Sequence, residues 1–442
     1  MSNVETSTLL RLAEETVKPL YEGRVEVVSG VMVEAAGVPA ALGEICRIHR
    51  TSDDAIDAEV VGFRDGRTLL MPHGELRGIA PDQRVTALRC SFEAPVGDSL
   101  LGRVLDGFGA PLDRGPALSP EHSRPVHANA PSPLDRPLIT EALQTGVRAI
   151  DGFTTLGRGQ RLGIFAGSGV GKSSLLSQVT RNTDADVVVI CLVGERGREV
   201  RAFIEDALGD DRKERSVLVA ATSDRSPIER QMAPFVAMTI AEHFRDQGKN
   251  VLFVMDSVTR FATASREIGL AAGEPPTVRG YPPSFFATLP RLVERMGRTE
   301  RGSITGLLTV LLDADDPNEP VADCLRGLLD GHIFLSRDLA ERGHFPAVDI
   351  PASLSRLMPE LVADDHLEAA SRLRAIIATW TEGRDLVEIG AYSPGSNPAL
   401  DKAIEIIPLL EKLTAQGREE HTSTSDCLEV MRLLSGVDEG SA

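Results

Sequence analysis

The stretch Ala166-Gly167-Ser168-Gly169-Val170-Gly171-Lys172-Ser173 constrains this chain more than any other. Before it lies Arg161-Leu162-Gly163-Ile164-Phe165, short and apolar enough for a buried strand. After it, Ser174-Leu175-Leu176-Ser177-Gln178-Val179 reads as the first turns of a helix. Strand, glycine-rich loop, Lys-Ser and helix are the context a phosphate-binding loop requires. The glycines let backbone N–H groups converge on an anion, and the helix N-terminus adds its positive dipole end. Lys172 is placed to reach the outer phosphates, and the Ser173 hydroxyl to ligate Mg²⁺. Gly167 to Ser174 are therefore the expected nucleotide-binding segment. Ala166 stands where the pattern has its first glycine, a common substitution.

The rest of the composition narrows the class. The 442 residues suffice for two or three domains, and the formal net charge of −18 argues against binding nucleic acid through bulk electrostatics. Five cysteines (Cys46, Cys90, Cys191, Cys324, Cys427) are scattered, without the spacing of a zinc site, as in a reducing compartment. No apolar run has the length of a membrane span. The start, MSNVETSTLLRLAEE, lacks a basic segment followed by an apolar core, so no secretory signal is expected. These points predict a cytoplasmic protein.

Along the chain, residues 1–22 read as a short helix with a narrow apolar stripe (Leu9, Leu10, Ala13, Val17). It could pack on its own domain or bind a partner. Residues 23–93 alternate apolar and polar, with short strands around Glu44–His49, Ala58–Phe63 and Arg67–Met71, which predicts a small β-barrel. Residues 94–357 begin turn-rich and proline-rich. They then alternate strands (Asp186–Val193, Ser216–Ala220, Asn250–Met255, Ser303–Leu312) with helices, notably Ile228–Gln247 with an apolar face of Met232, Phe235, Val236, Ile240 and Phe244. This is the pattern of a mostly parallel sheet with helices on both faces. Residues 358–442 are helical by period over Leu367–Thr379, Pro398–Thr414 and Ser425–Leu434. The expected class is α/β: an N-terminal β-barrel, a central P-loop sheet and a C-terminal helical domain.

Two acids stand at strand ends, where ligands of open α/β sheets bind. Val251-Leu252-Phe253-Val254-Met255-Asp256 is an apolar strand ending in a carboxylate, the usual Mg²⁺-orienting group of a P-loop site. In Gly194-Glu195-Arg196-Gly197-Arg198-Glu199, Glu195 can face the γ-phosphate and polarise a water, or the cluster can simply cap the following helix.

Several longer motifs occur in one order: GRVLDGFGAPLD (102–113), TGVRAIDGFTTLGRGQRLGIFAGSGVGKS (145–173), GERGREV (194–200), DSVTRFATASREIGLAAGEPPTVRGYPPSFF (256–286) and DGHIFLSRDLAERGHFPAVDIPASLSR (330–356). With them the chain resembles the rotary-type hexameric ATPases, and within these the type III secretion and flagellar export ATPases more closely than the F1 catalytic subunits. The resemblance implies a RecA-like ATPase core and a role for each matched residue. Glu195 matches the catalytic carboxylate, Arg196 the arginine beside it, and Arg260 an arginine near the γ-phosphate. Arg356 matches an arginine finger that reaches a neighbouring subunit, and Phe345 the aromatic stacked on adenine. The tail segment Arg418–Ser423 carries no aromatic where related catalytic chains often place a second adenine contact. Because Lys172, Glu195 and Arg356 lie on one chain, a closed ring of identical subunits would complete every site at its interfaces.

The resemblance further implies Mg²⁺ as cofactor and a homohexamer peripherally associated with the inner membrane. Its partners would be export-gate membrane proteins, a stator or regulator subunit bound through the N-terminal segment, a central stalk, and cargo with chaperones. The flagellar system is slightly preferred over the injectisome. A rival reading is a hexameric nucleic-acid translocase of the transcription-terminator type. Such a protein should carry a basic, aromatic N-terminal domain, and residues 23–93 are neither basic nor rich in aromatics. A catalytically dead nucleotide-binding subunit is a second rival, opposed by the intact Lys172, Ser173, Glu195 and Asp256.

Overall fold

In the computed structural model, residues 21–51, 54–208, 213–313, 316 and 318–437 are described. Six strands, β1 (Tyr21–Ser29), β2 (Met32–Ala36), β3 (Glu44–His49), β4 (Ala55–Arg64), β5 (Arg67–Pro72) and β6 (Arg84–Ser91), close into a barrel in the order β1-β2-β5-β4-β3-β6. Alternation explains the closure: Val25, Val33, Cys46, Ile48, Val60, Leu70 and Val85 point inward and form one buried cluster. The expected N-terminal helix falls mostly on residues 1–20, which lie outside the described residues. Its last two positions are strand: Tyr21 and Glu22 pair with Ala87 and Thr86 in β6. The alternating run from Gly23 to Glu34 folds as a hairpin, because Gly30 takes φ 60° and turns the chain between β1 and β2.

The barrel strands fall in one of two compact units of the chain; the residues from Ala94 onward, apart from two short stretches, form the other. The larger unit is built on β7 (Val104–Leu105), β8 (Arg161–Ala166), β9 (Val187–Val193), β10 (Ser216–Ala221), β11 (Asn250–Asp256), β12 (Ser303–Leu311), β13 (Gly331–Leu335) and β14 (Val348–Ser355). Their order is β14-β13-β8-β12-β11-β9-β10-β7, with every neighbouring pair parallel except β13 and β14. All seven residues of β9, VVVICLV, are buried, as a strand covered on both faces must be. The helices used below are α1 (Arg148–Phe153), α2 (Lys172–Asn182), α3 (Gly197–Phe203), α4 (Pro227–Asp246), α5 (Val258–Ala272), α6 (Pro283–Glu294), α7 (Pro320–Leu328), α8 (Asp364–Glu388), α9 (Pro398–Thr414) and α10 (Thr424–Ser435). The expected apolar face of α4 is buried at all five positions.

Helix α8 runs further than the Leu367–Thr379 period indicated. Its second half is held by an Arg384–Glu388 pair at 3.4 Å and by Gly383, which lies against Leu400 of α9 so closely that a Cβ would sit 2.6 Å from its Cδ1. The C-terminal helices share one core with the sheet: Leu373, Leu410, Cys427 and Met431 join Ile150, Leu176, Val188 and Ile333 in a single cluster. The strand β13 and the edge strand β14 went unread in the sequence: the five residues of β13 leave little signal, and β14 carries Pro351 within its eight.

A buried ion pair fixes α6 against α4. Arg295 is 1% exposed and grips Glu242 through Nε (2.9 Å) and Nη2 (2.6 Å), while Nη1 donates to the Val126 carbonyl. Replacing Arg295 by Met leaves Glu242 buried, with Arg245 at 4.0 Å as the remaining cation near it among the described residues. The expected loss is about 3 kcal/mol of stability, because an uncompensated buried charge costs more than the pair contributes. It is read as a lower urea midpoint for the larger unit; an unchanged midpoint would contradict it.

Candidate nucleotide site

The P-loop lies at the carboxyl end of β8, two strands in from the sheet edge, and α2 starts at Lys172. Gly169 and Gly171 take φ 82° and 96°, which lets the loop curl with its N–H groups inward. The absent side chain at Gly171 also makes room for Phe345, whose ring would lie 3.2 Å from a Cβ there. A cleft of about 890 Å³ opens here, lined by the P-loop, Gln178, Glu195, Arg260 and Phe345, and on its far side by Gln416, Gly417 and Arg418.

Below the loop three charged groups meet. Lys172 is buried; its Nζ donates to Asp256 and stands 4.0 Å from Glu195 Oε1. Asp256 also accepts from Thr309 Oγ1 at 2.8 Å, a contact from β12 that the sequence did not reveal. Burial pushes the Glu195 carboxyl up to about 7, the nearby Asp256 carboxylate adds to the shift, and Lys172 offsets part of it. A carboxyl with that proton affinity is poised to take a proton from water near neutral pH. Ser173, Glu195 and Asp256 line one adjoining recess. All three offer oxygen, and among the described residues no group of three acids, histidines or cysteines could hold a metal alone. That donor set fits Mg²⁺, which takes one or two protein oxygens and completes its shell with phosphates and water.

The remaining expected residues divide. Arg260 is brought to the cleft, its stem packed against Gly194, where a Cβ would meet Arg260 Cβ at 2.9 Å. Arg196 borders the cleft at the start of α3 but points outward, 3.3 Å from Glu199 with its side chain 69% exposed. Phe345 is 44% exposed, one face open to the cleft, and its carbonyl accepts from Gln416 N at 2.8 Å. Arg356 is not in its own chain's cleft. Because β14 runs antiparallel, Ser355 pairs with Gly331 at the start of β13, so Arg356 emerges at the opposite end of the sheet from the P-loop. It is exposed, in the turn just past the outer edge strand β14. Sequence reading also missed Arg337, which donates to the Ser168 carbonyl of the P-loop at 3.3 Å, and the loop Gln416–Arg418.

Residues 146–355 match the nucleotide-binding domain of the ATP synthase alpha/beta family, and residues 362–432 match the C-terminal domain of type III secretion ATPases of the EscN kind. The chain is 48% identical to the flagellum-specific ATP synthase of Bacillus subtilis over 99% of its length and all of the relative's. It is 49% identical to the type 3 secretion system ATPase of Xanthomonas euvesicatoria, over 97% of each chain. Among solved structures it superposes on the assembled ATPase EscN of enteropathogenic E. coli with a TM-score of 0.89 at 43% identity, covering 93% of this chain and 100% of that one. A second structure holds EscN with its central stalk EscO, at TM-score 0.87 and 42% identity over the same coverage.

Proposed function

The chain belongs to the type III secretion and flagellar export ATPases of the ATP synthase alpha/beta family, and on that premise we propose how its residues hydrolyse ATP and what the hydrolysis drives. The carrying observation is the convergence of Lys172, Glu195 and Asp256 beneath the P-loop. ATP lies with its phosphates on the N–H groups of Gly167 to Ser174 and its base on Phe345. Lys172 leaves Asp256 for the outer phosphates, a shift of one hydrogen bond on a flexible stem. Mg²⁺, held by Ser173 and Asp256, would neutralise phosphate charge there. Glu195 holds the attacking water and takes its proton. Arg260 lies on the same wall as Glu195, and Arg196 at the rim closes on the cleft as α3 approaches. Arg356, out of reach of its own site, serves the next subunit's, which makes the working unit a closed homohexameric ring.

In this reading residues 94–357 are the catalytic domain, 23–93 the barrel domain, and 358–442 the C-terminal helical domain. The ring energises protein export through a type III apparatus, turning a central stalk and releasing cargo from chaperones at the export gate. Residues 1–22 receive a stator or regulator. Among the described residues no helix is long and apolar enough to cross a membrane, which agrees with a cytoplasmic ring docked peripherally at the inner membrane. Identity to the flagellar and the secretion relatives is nearly equal, so the proposal rests on the activity they share.

Glu195→Gln tests the mechanism. It keeps size and removes the base, so ATP binding should persist while turnover falls by about 10²-fold or more. Nucleotide affinity and phosphate release are measured on the same protein. If both fall together, Glu195 is a structural residue.

A further inference from the structure

The loop that joins α9 to α10 is held more firmly than its polar sequence suggests. Arg148, at the start of α1, donates to the carbonyls of Leu413 and Ala415, each at 2.5 Å, and to Glu420. Gln416 accepts from the Arg148 N–H at 2.9 Å, donates to the Gly146 carbonyl at 2.8 Å, and donates its own N–H to Phe345. Gln178 of α2 reaches the Gly417 carbonyl at 3.2 Å. The backbone on both sides of residue 418 is therefore tied to the nucleotide-binding sheet and to the base-contacting loop.

Arg418 itself is exposed, and among the described residues its guanidinium makes no hydrogen bond or ion pair. It borders both the cleft containing Phe345 and the recess containing Ser173, Ser174 and Glu195. Glu199 and Asp206 also line that recess, and neither pairs with it. An unpaired surface arginine is ordinarily just solvated. Here a rigid loop presents it at the mouth of a site built for a polyanion, and a preorganised cation loses little freedom on contact.

We propose that Arg418 binds the nucleotide's phosphates from the C-terminal loop, a cation supplied to the site from outside the P-loop motif. The inference rests on the reading of this cleft as the ATP site. A guanidinium on phosphate makes charge-assisted hydrogen bonds that do not depend on the base. Because the side chain has no hydrogen-bond or ion-pair partner among the described residues, its removal should leave the fold untouched.

The test uses the full chain with Arg418→Gln and Arg418→Lys, measuring KM and kcat for ATP and inhibition constants for ADP and GDP at two salt concentrations. Arg418→Gln should weaken ADP and GDP about tenfold each and raise KM similarly, with a much smaller change in kcat. Arg418→Lys should keep most of the affinity, and the gap between the parent and Arg418→Gln should shrink as salt rises. Unchanged ADP affinity in Arg418→Gln would overturn the proposal. So would a loss that is insensitive to salt, unrescued by lysine and different for ADP and GDP, which would put the guanidinium on the base. Lys172→Ala run alongside separates the two levels: if it too binds and turns over nucleotide like the parent, the cleft reading fails rather than this inference alone.

Discussion

Lys172→Ala should fold as the parent does and hydrolyse no measurable ATP. The loop survives because its path is set by Gly169, Gly171 and the buried strand β8, none of which uses the lysine side chain. The chemistry fails for two reasons. The ammonium that would leave Asp256 for the transferring phosphoryl group is gone, and that charge is worth several powers of ten in such sites. In addition, the ion pair between Lys172 and Asp256 is lost, so Glu195 and Asp256 face each other in a poorly hydrated recess without a counter-charge. Two neighbouring carboxylates then favour keeping a proton, which removes the base as well. Phosphate release should drop by at least about 10³-fold, with an unchanged circular dichroism spectrum. Turnover within tenfold of the parent, in protein shown to be folded, would end the P-loop assignment.

What the sequence made legible was local. Gly167 to Ser173 could be read because strand, loop and helix are contiguous, and Glu195 and Asp256 because apolar runs end at them. The barrel could be read from alternation, but not its closure: β6 pairs with β1 across some sixty residues, as Tyr21 with Ala87. The Thr309–Asp256 hydrogen bond, the Arg337 contact to the P-loop and the clamp of Arg148 on Ala415 are all tertiary, and no residue spacing announces them. Gln416 to Arg418 escaped for a related reason. A search for a second aromatic passes over a polar loop whose importance comes from what ties it down.

Arg356 is the expected site residue that the topology sets apart from its own chain's cleft, and it leads to the second large effect. The reversal of β14 sends Arg356 to the amino end of the sheet while Lys172 and Glu195 sit at the carboxyl end, so the two halves of the proposed site cannot meet within one chain. Arg356→Ala should lose about 10³-fold in turnover, as expected when a finger is withdrawn from a phosphoryl-transfer site. It keeps its own P-loop and Glu195. Lys172→Ala is inactive in its own cleft but still offers Arg356. When the two are mixed in equal amounts and allowed to exchange, about a quarter of the interfaces in random rings pair an intact P-loop with an intact finger. The ATPase rate of the mixture should exceed the sum of the two separate rates, while staying well below wild type. A matched mixture of Arg356→Ala with a double variant lacking both groups should show no excess, since no finger is then present. If rings verified as mixed give no excess in the first mixture, or equal excess in both, Arg356 does not act across a subunit boundary and the ring-built site is wrong.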